Sequence, residues 1–152
     1  MTENGWQIRR ADLSDLSGLV SLELACFAIP WSKDSLRHDL ENNPSARYLV
    51  ASRPGSGLGG YAACWVVMDE GQITNISVMP EFRRHGLGRQ LLEALIRMAG
   101  KENLHQLVLE VRTGNTAARR LYESCGFQSV GLRRGYYQDN GEDAIIMLKK
   151  LS

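Results

Sequence analysis

The stretch RRHGLGRQLL, residues 83–92, stands directly behind ITNISVMPEF and leads into the segment LGRQLLEALIRMAG. The first segment reads as a strand. In the second, Leu91, Leu95, Met98 and Ala99 recur at helical spacing, which predicts a helix over Leu87–Gly100. A strand that hands over to a helix through a glycine turn commits the chain to layered α/β architecture. The junction also has a chemistry of its own. Backbone N–H groups in the first turn of a helix lack intrahelical partners, and the helix dipole adds partial positive charge there. Gly86 and Gly88 would let a ligand approach that backbone closely. Arg83, Arg84 and Arg89 add charge and can grip phosphate oxygens in pairs. The spacing lacks the Lys-Ser/Thr of a P-loop, and Leu91 occupies the place of the third glycine in a dinucleotide fingerprint. A phosphate cradle of another kind remains, against the alternative of a solvated basic turn.

The rest of the chain alternates in the same manner. WQIRRA reads as a strand, and DLSDLSGLVSLELACF as a helix opened by Asp12 or Ser14. IPWS breaks that helix, and Ser32 caps a second, KDSLRHDLENN, which Asn43-Pro44 ends. ARYLVAS is a strand, PGSGLGG a turn, and YAACWVVMD a longer strand, followed through a tight turn at Glu70-Gly71 by GQITNISVM. LHQLVLEVR is a strand and Asn115–Cys125 a helix, with Gly126 as its left-handed cap and Phe127 as the contact beyond it. QSVGLRR and AIIMLKK close the chain, joined by GYYQDNGED. The expected class is mixed α/β (α+β), a single domain over 1–152, with a meander first and strand–helix–strand crossovers later.

Composition narrows the function. Eighteen basic residues against seventeen acidic ones give no general attraction to nucleic acid or to an anionic membrane, so any anion site must be local. The longest apolar run, Tyr61–Met68, is too short to span a bilayer, and MTENGWQIRR has no apolar signal core. Cys26, Cys64 and Cys125 are odd in number and lie in apolar segments, which suits buried free thiols in a reducing cytoplasm. His38, His85 and His105 have no partners at ligand spacing, and no metal site is expected.

Arg83-Arg84-His85-Gly86-Leu87-Gly88 fits the pattern R/Q-x-x-G-x-G/A that follows a strand in the GCN5-related N-acetyltransferases. The order of elements resembles that family along nearly the whole chain. IPWS, TNISV, LEVR, N-x-x-A-x-x-L-Y-E-x-x-G-F and GYY-x-x-x-x-EDAIIM together resemble its bacterial RimI branch. That resemblance implies a sheet of about seven strands with four main helices, and two central strands that splay to admit acetyl-CoA. It implies pantetheine contacts with the backbone of Ile76, Ser77 and Val78, and a pyrophosphate on Arg83, Arg84, His85, Gly86, Leu87, Gly88 and Arg89. The Val78 N–H would face the thioester carbonyl, and Asn115 would touch the cofactor arm. The implied acceptor is a protein N-terminus, the alanine of the eighteenth small-subunit ribosomal protein, without contact to nucleic acid or membrane.

Two residues stand out as chemical. Glu110 sits in the apolar strand LVLEV, where an isolated carboxylate is costly and burial would make it a better base; the alternative is an ion pair with Arg112. Tyr122 follows Ala118 by four residues, on a helical face with room for a ligand; the alternative is an ordinary core tyrosine. The resemblance makes Tyr122 the proton donor to the departing thiolate. Tyr136 and Tyr137, with Pro30 and Trp31, would frame the peptide entrance. The amine matters energetically. At pH 7 roughly a seventh of α-amines with pKa near 7.8 are neutral, against about 0.04% of lysines, a difference of about 3.5 kcal/mol. That favours an α-amine acceptor over lysine; the lack of a dense acidic cluster disfavours a polycationic small-molecule acceptor, and the presence of both Glu110 and Tyr122 disfavours a silent acetyl-CoA-binding module.

Overall fold

In the computed structural model, which describes residues 5–151, seven strands form one sheet in the order β1-β2-β3-β4-β5-β7-β6. They are β1 (Gln7–Arg10), β2 (Ala46–Arg53), β3 (Gly57–Val67), β4 (Glu70–Val78), β5 (Gln106–Arg112), β6 (Gln128–Arg133) and β7 (Ala144–Lys150). The helices are α1 (Leu16–Cys26), α2 (Lys33–Asn42), α3 (Leu87–Lys101) and α4 (Thr116–Ser124). Residues 1–4 of the N-terminal stretch lie outside the described chain. No helix among the described residues is long and apolar enough to cross a membrane.

Alternation along the strands builds two cores. Leu49, Ala51, Ala62, Cys64, Leu107, Leu109 and Val111 face Leu87, Leu91, Leu92, Leu95 and Ala99 of α3. Tyr48, Val50, Tyr61 and Ala63 face Leu16, Leu19 and Leu22 of α1 and Leu36 of α2. Of the three free thiols only Cys64 is buried, which pushes its pKa up to about 11; Cys26 and Cys125 are half-buried.

Two turns differ from expectation. Gly57–Gly60 belong to β3, because the Trp6 ring lies against Gly59 and a Cβ at Gly60 would sit 2.5 Å from the Ser77 carbonyl oxygen. These are strand glycines that admit close neighbours. The hairpin after β3 turns at Met68-Asp69, with Met68 at φ 57, while Gly71 lies within β4 where a Cβ would meet Leu107 at 2.6 Å.

The centre of the sheet is irregular. The β3–β4 register runs Ala63↔Asn75 and then Cys64↔Ile73, leaving Thr74 as an extra residue whose hydroxyl donates to the Ala63 carbonyl at 3.3 Å. Such a bulge bends its strand. The parallel pairing of β4 with β5 covers only Glu70↔Gln106 to Gln72↔Val108, so the two strands part just before the bulge.

The start of α1 is pinned from the sheet edge. Asp12 accepts from Ser14 N at 2.9 Å, Asp12 N donates to Asp15 Oδ2 at 2.9 Å, and a short 3-10 turn, Leu13–Asp15, leads into the helix. Arg9 of β1 donates to both Asp15 oxygens, at 2.8 and 2.9 Å. The Arg9 hydrogen bonds hold the Asp15 carboxyl below its ordinary value of 3.8, against burial that raises it. A depressed pKa adds stability above the unfolded value, and that stability is lost as pH falls through the folded one. Asp15→Asn should therefore cost about 1–2 kcal/mol in urea unfolding at pH 7, allowing for the partial exposure of Arg9. The gap from wild type should close as pH falls below about 4.

Candidate active site

The parting of β4 and β5 leaves backbone groups facing a gap. Met79 N donates to Gly59 O at 2.8 Å, which makes that pair a hydrogen-bonded one. Antiparallel pairs alternate, so Val78 and Ile76 turn their N–H and C=O groups away from β3 and into the gap. Thr113 N donates to Asp143 O at 3.2 Å, and the same alternation turns the backbone of Glu110 and Arg112 toward the gap from the other side.

Beyond Val78 the chain makes a 3-10 turn, Pro80–Phe82, and then places Arg84 at φ 68 and Gly86 at φ 81 before α3 begins. The first α3 bond runs from Gln90 N to Gly86 O at 3.1 Å, so the N–H groups of Leu87, Gly88 and Arg89 are left over. A Cβ on Gly86 would meet open space. These residues, with Ile76, Ser77, Val78, Arg83, Asn115, Leu121 and Tyr122, line a cleft of about 670 Å³. The Ser77 hydroxyl is buried with no partner among the described residues. The arginines are not equivalent. Arg83 donates to Val78 O at 2.9 Å and to Cys26 Sγ at 3.5 Å; Arg89 donates to Ser124 Oγ at 2.5 Å. Arg84 is exposed, with no ion pair among the described residues. His85 is exposed and lies outside the cleft wall.

A second pocket, about 290 Å³, joins this cleft at Phe27, Ile76, Asn115 and Tyr122. Glu110 and Tyr122 both line it. Glu110 departs from expectation in one respect. Leu107, Leu109 and Val111 take the buried face of β5, so Glu110 takes the other, is 27% exposed, and its Oε1 accepts from Arg133 at 3.1 Å. The carboxylate is paired with Arg133 at a pocket wall rather than buried in the covered face of the strand. Arg112 pairs instead with Asp139 at 2.9 Å and Glu142 at 3.4 Å, and lies 4.0 Å from the Tyr137 ring centroid.

Tyr122 is positioned by the end of α4. Gly126, at φ 96, lets Phe127 N donate to Tyr122 O and Gly126 N to Glu123 O, both at 3.0 Å. This double closure fixes the last turn, and the Phe127 ring packs 5.9 Å from that of Tyr122. Burial, and secondarily Tyr137, push the Tyr122 hydroxyl up to about 12. Asn115 caps the other end, accepting from Ala118 N at 3.2 Å.

The four expected entrance residues divide. Trp31 and Tyr137 line the second pocket. Pro30 lines a separate groove with Asp34, His38 and Trp65, and Tyr136 is 40% exposed, edge-on to Tyr137 and beneath Arg133. Neither Pro30 nor Tyr136 lines the second pocket. The pocket also holds Glu23, Asn75 and Asp139, which the sequence reading passed over. Glu23 had a signal, since 16, 19 and 23 share one helical face and two of those positions are leucines.

The acetyltransferase (GNAT) family model matches residues 16–127. The chain belongs to that family. An Escherichia coli (strain K12) [ribosomal protein bS18]-alanine N-acetyltransferase is 40% identical over 148 residues, 95% of this chain and 97% of that one. A Bacillus subtilis (strain 168) relative, provisionally named for the same activity, is 43% identical over 140 residues, 92% of each chain. The crystal structure of the E. coli ribosomal-protein-S18-alanine N-acetyltransferase superposes with a TM-score of 0.88 at 37% identity, covering 97% of this chain and 94% of that one. GNAT acetyltransferases draw the acetyl group from acetyl-CoA, and the leftover N–H groups of α3 beside Arg84 suit its phosphates. Gly86→Val would put a branched side chain into that open space at a left-handed φ. Coenzyme A affinity by calorimetry should fall at least about tenfold while the circular dichroism spectrum is retained.

Proposed function

We propose that this protein transfers the acetyl group of acetyl-CoA to the N-terminal α-amine of a polypeptide, the alanine of small-subunit ribosomal protein bS18, as one N-acetyltransferase domain over 1–152. The observation that carries the chemistry is that Glu110 and Tyr122 share a pocket which joins the glycine-arginine cradle across the β4–β5 gap. Identity to the E. coli enzymes supports the acceptor.

On this reading Arg84 and the first turn of α3 hold the pyrophosphate, with Arg83, Arg89 and Asn115 shaping the cleft and His85 at its rim. The backbone of Ile76, Ser77 and Val78 takes the pantetheine arm as an added strand would be taken. The cosubstrate brings an activated thioester. Trp31 and Tyr137 frame the acceptor, with Pro30 and Tyr136 supporting them from outside. Glu110 accepts the amine proton, and its Oε2 has no protein donor among the described residues. The Val78 N–H donates to the carbonyl oxygen as charge develops there. Tyr122 donates to sulfur as the C–S bond breaks and the new N–C bond forms. Burial pushes its hydroxyl up to about 12, so Tyr122 is protonated near neutral pH and has a proton to offer the departing thiolate. Cys26 lines the cleft but donates to Val78 O at 3.4 Å, with no histidine or carboxylate contact among the described residues, which favours direct transfer over an acyl-cysteine route.

Steady-state turnover of an alanine-initiated peptide tests these roles separately. Glu110→Gln should lower turnover by about 10²–10⁴-fold with coenzyme A affinity unchanged, and raising the pH should recover part of it as more amine arrives neutral. Tyr122→Phe should lower turnover by about 10–100-fold, the worth of one hydrogen bond to a charged group, with no recovery at high pH. Wild-type turnover in Glu110→Gln would make Glu110 a structural partner of Arg133 and overturn the reading.

A further inference from the structure

The charged groups around the acceptor pocket are matched, with one exception. Glu110 meets Arg133 at 3.1 Å, and Arg112 meets Asp139 at 2.9 Å. Glu23 of α1 lines the same pocket at 1% exposure, and its hydrogen-bond partners among the described residues are all neutral. Its Oε1 accepts from Trp31 N at 2.6 Å, and its Oε2 from Tyr61 OH at 2.6 Å and Asn75 Nδ2 at 2.9 Å. Three donors aimed at two oxygens suit a carboxylate, which only accepts. No cation among the described residues neutralises it. A buried charge without a counter-ion is costly, so hydrogen bonds to neutral groups carry the whole burden of holding it there.

We propose, resting on the acetyl-transfer reading above, that Glu23 is a positioning residue whose unmatched charge draws the acceptor into this pocket in its protonated, cationic form. The three donors make that placement rigid from three elements: Trp31 from the α1–α2 loop, Tyr61 from β3, and Asn75 from β4 beside the bulge. Glu23 thus fixes the loop that frames the pocket and gives the pocket its sign. The remaining groups that face it do not supply a competing switch. Burial first and the charge of Glu23 second hold Tyr61 far above the ordinary tyrosine range, burial holds Tyr48 similarly high, and Tyr122 and Tyr137 lie near 12. Near neutral pH the titrating partner is therefore the acceptor's own α-amine, with a pKa near 7.8. Below that value the amine is a cation and gains from Glu23; above it the gain disappears. Glu110 then removes the proton from an amine already in place.

The test uses the protein saturated with coenzyme A, so that no transfer occurs. An alanine-initiated peptide is compared with its des-amino counterpart, in which hydrogen replaces the α-amine. Calorimetry in wild type should give about tenfold tighter binding of the amino peptide at pH 6 and less than about twofold preference at pH 9.5. In Glu23→Gln the preference at pH 6 should vanish, while a merely structural role would weaken both peptides equally at both pH values. A wild-type enzyme that acetylates the peptide yet shows no preference at pH 6 overturns the inference without any variant. So does a preference that survives in Glu23→Gln. If wild type does not acetylate the peptide at all, the acetyl-transfer reading itself fails and this inference with it.

Discussion

The extra residue at Thr74 and the parting of β4 from β5 govern everything that follows in this structure. Paired side by side along their whole length, the two strands would satisfy each other's backbone groups and close the sheet. Here they pair over three residues and separate, with the β4 bulge one residue pair above Gln72 on the β3 side. The Val78 N–H and the Ile76 backbone on one side, and the Glu110 backbone on the other, then face the gap. The same parting lets the α3 cleft and the acceptor pocket communicate through Ile76 and Tyr122. A donor held from one side of the sheet and an acceptor entering from the other can meet only through such a break.

Both sides of the break are braced. Two buried carboxylates, Glu23 and Asp39, tie α1 and α2 to the sheet through Tyr61 and Tyr48, whose rings stack 5.8 Å apart with an interplanar angle of 2°. On the opposite face Arg89 ties the first turn of α3 to Ser124 at the end of α4. Around the last loop, Glu142 accepts from Gly114 N at 2.7 Å and also from Arg112. These contacts explain why the residues that face the gap come from separated parts of the chain yet share one locality.

The sequence made much of this legible wherever a local rule acts alone. Helical spacing located α3, the glycine at 126 located the end of α4, and Ser32 located the start of α2, because propensity, periodicity and capping all agreed there. Gly86 was legible as a point of close approach at the helix start, but its left-handed φ was not. Tertiary contacts decided the remainder. Gly57–Gly60 looked like a turn because the sequence does not reveal the Trp6 ring and the β4 backbone pressing against them. Glu110 looked buried because an apolar run does not say which of two alternating faces is covered. Pro30 and Tyr136 were grouped with their neighbours, although adjacent residues in a loop can point into different spaces. Glu23 lay hidden on a leucine stripe, where a carboxylate at a core position was the one available sign.

The destination of the acetyl group is the most direct measure of this chemistry. A peptide that begins with alanine and carries an internal lysine, incubated with the protein and acetyl-CoA, can be fragmented in a mass spectrometer to locate the added group. Acetyl on the α-amine with the lysine unmodified is the predicted result. Acetyl on the lysine, or a peptide left unmodified, would contradict it.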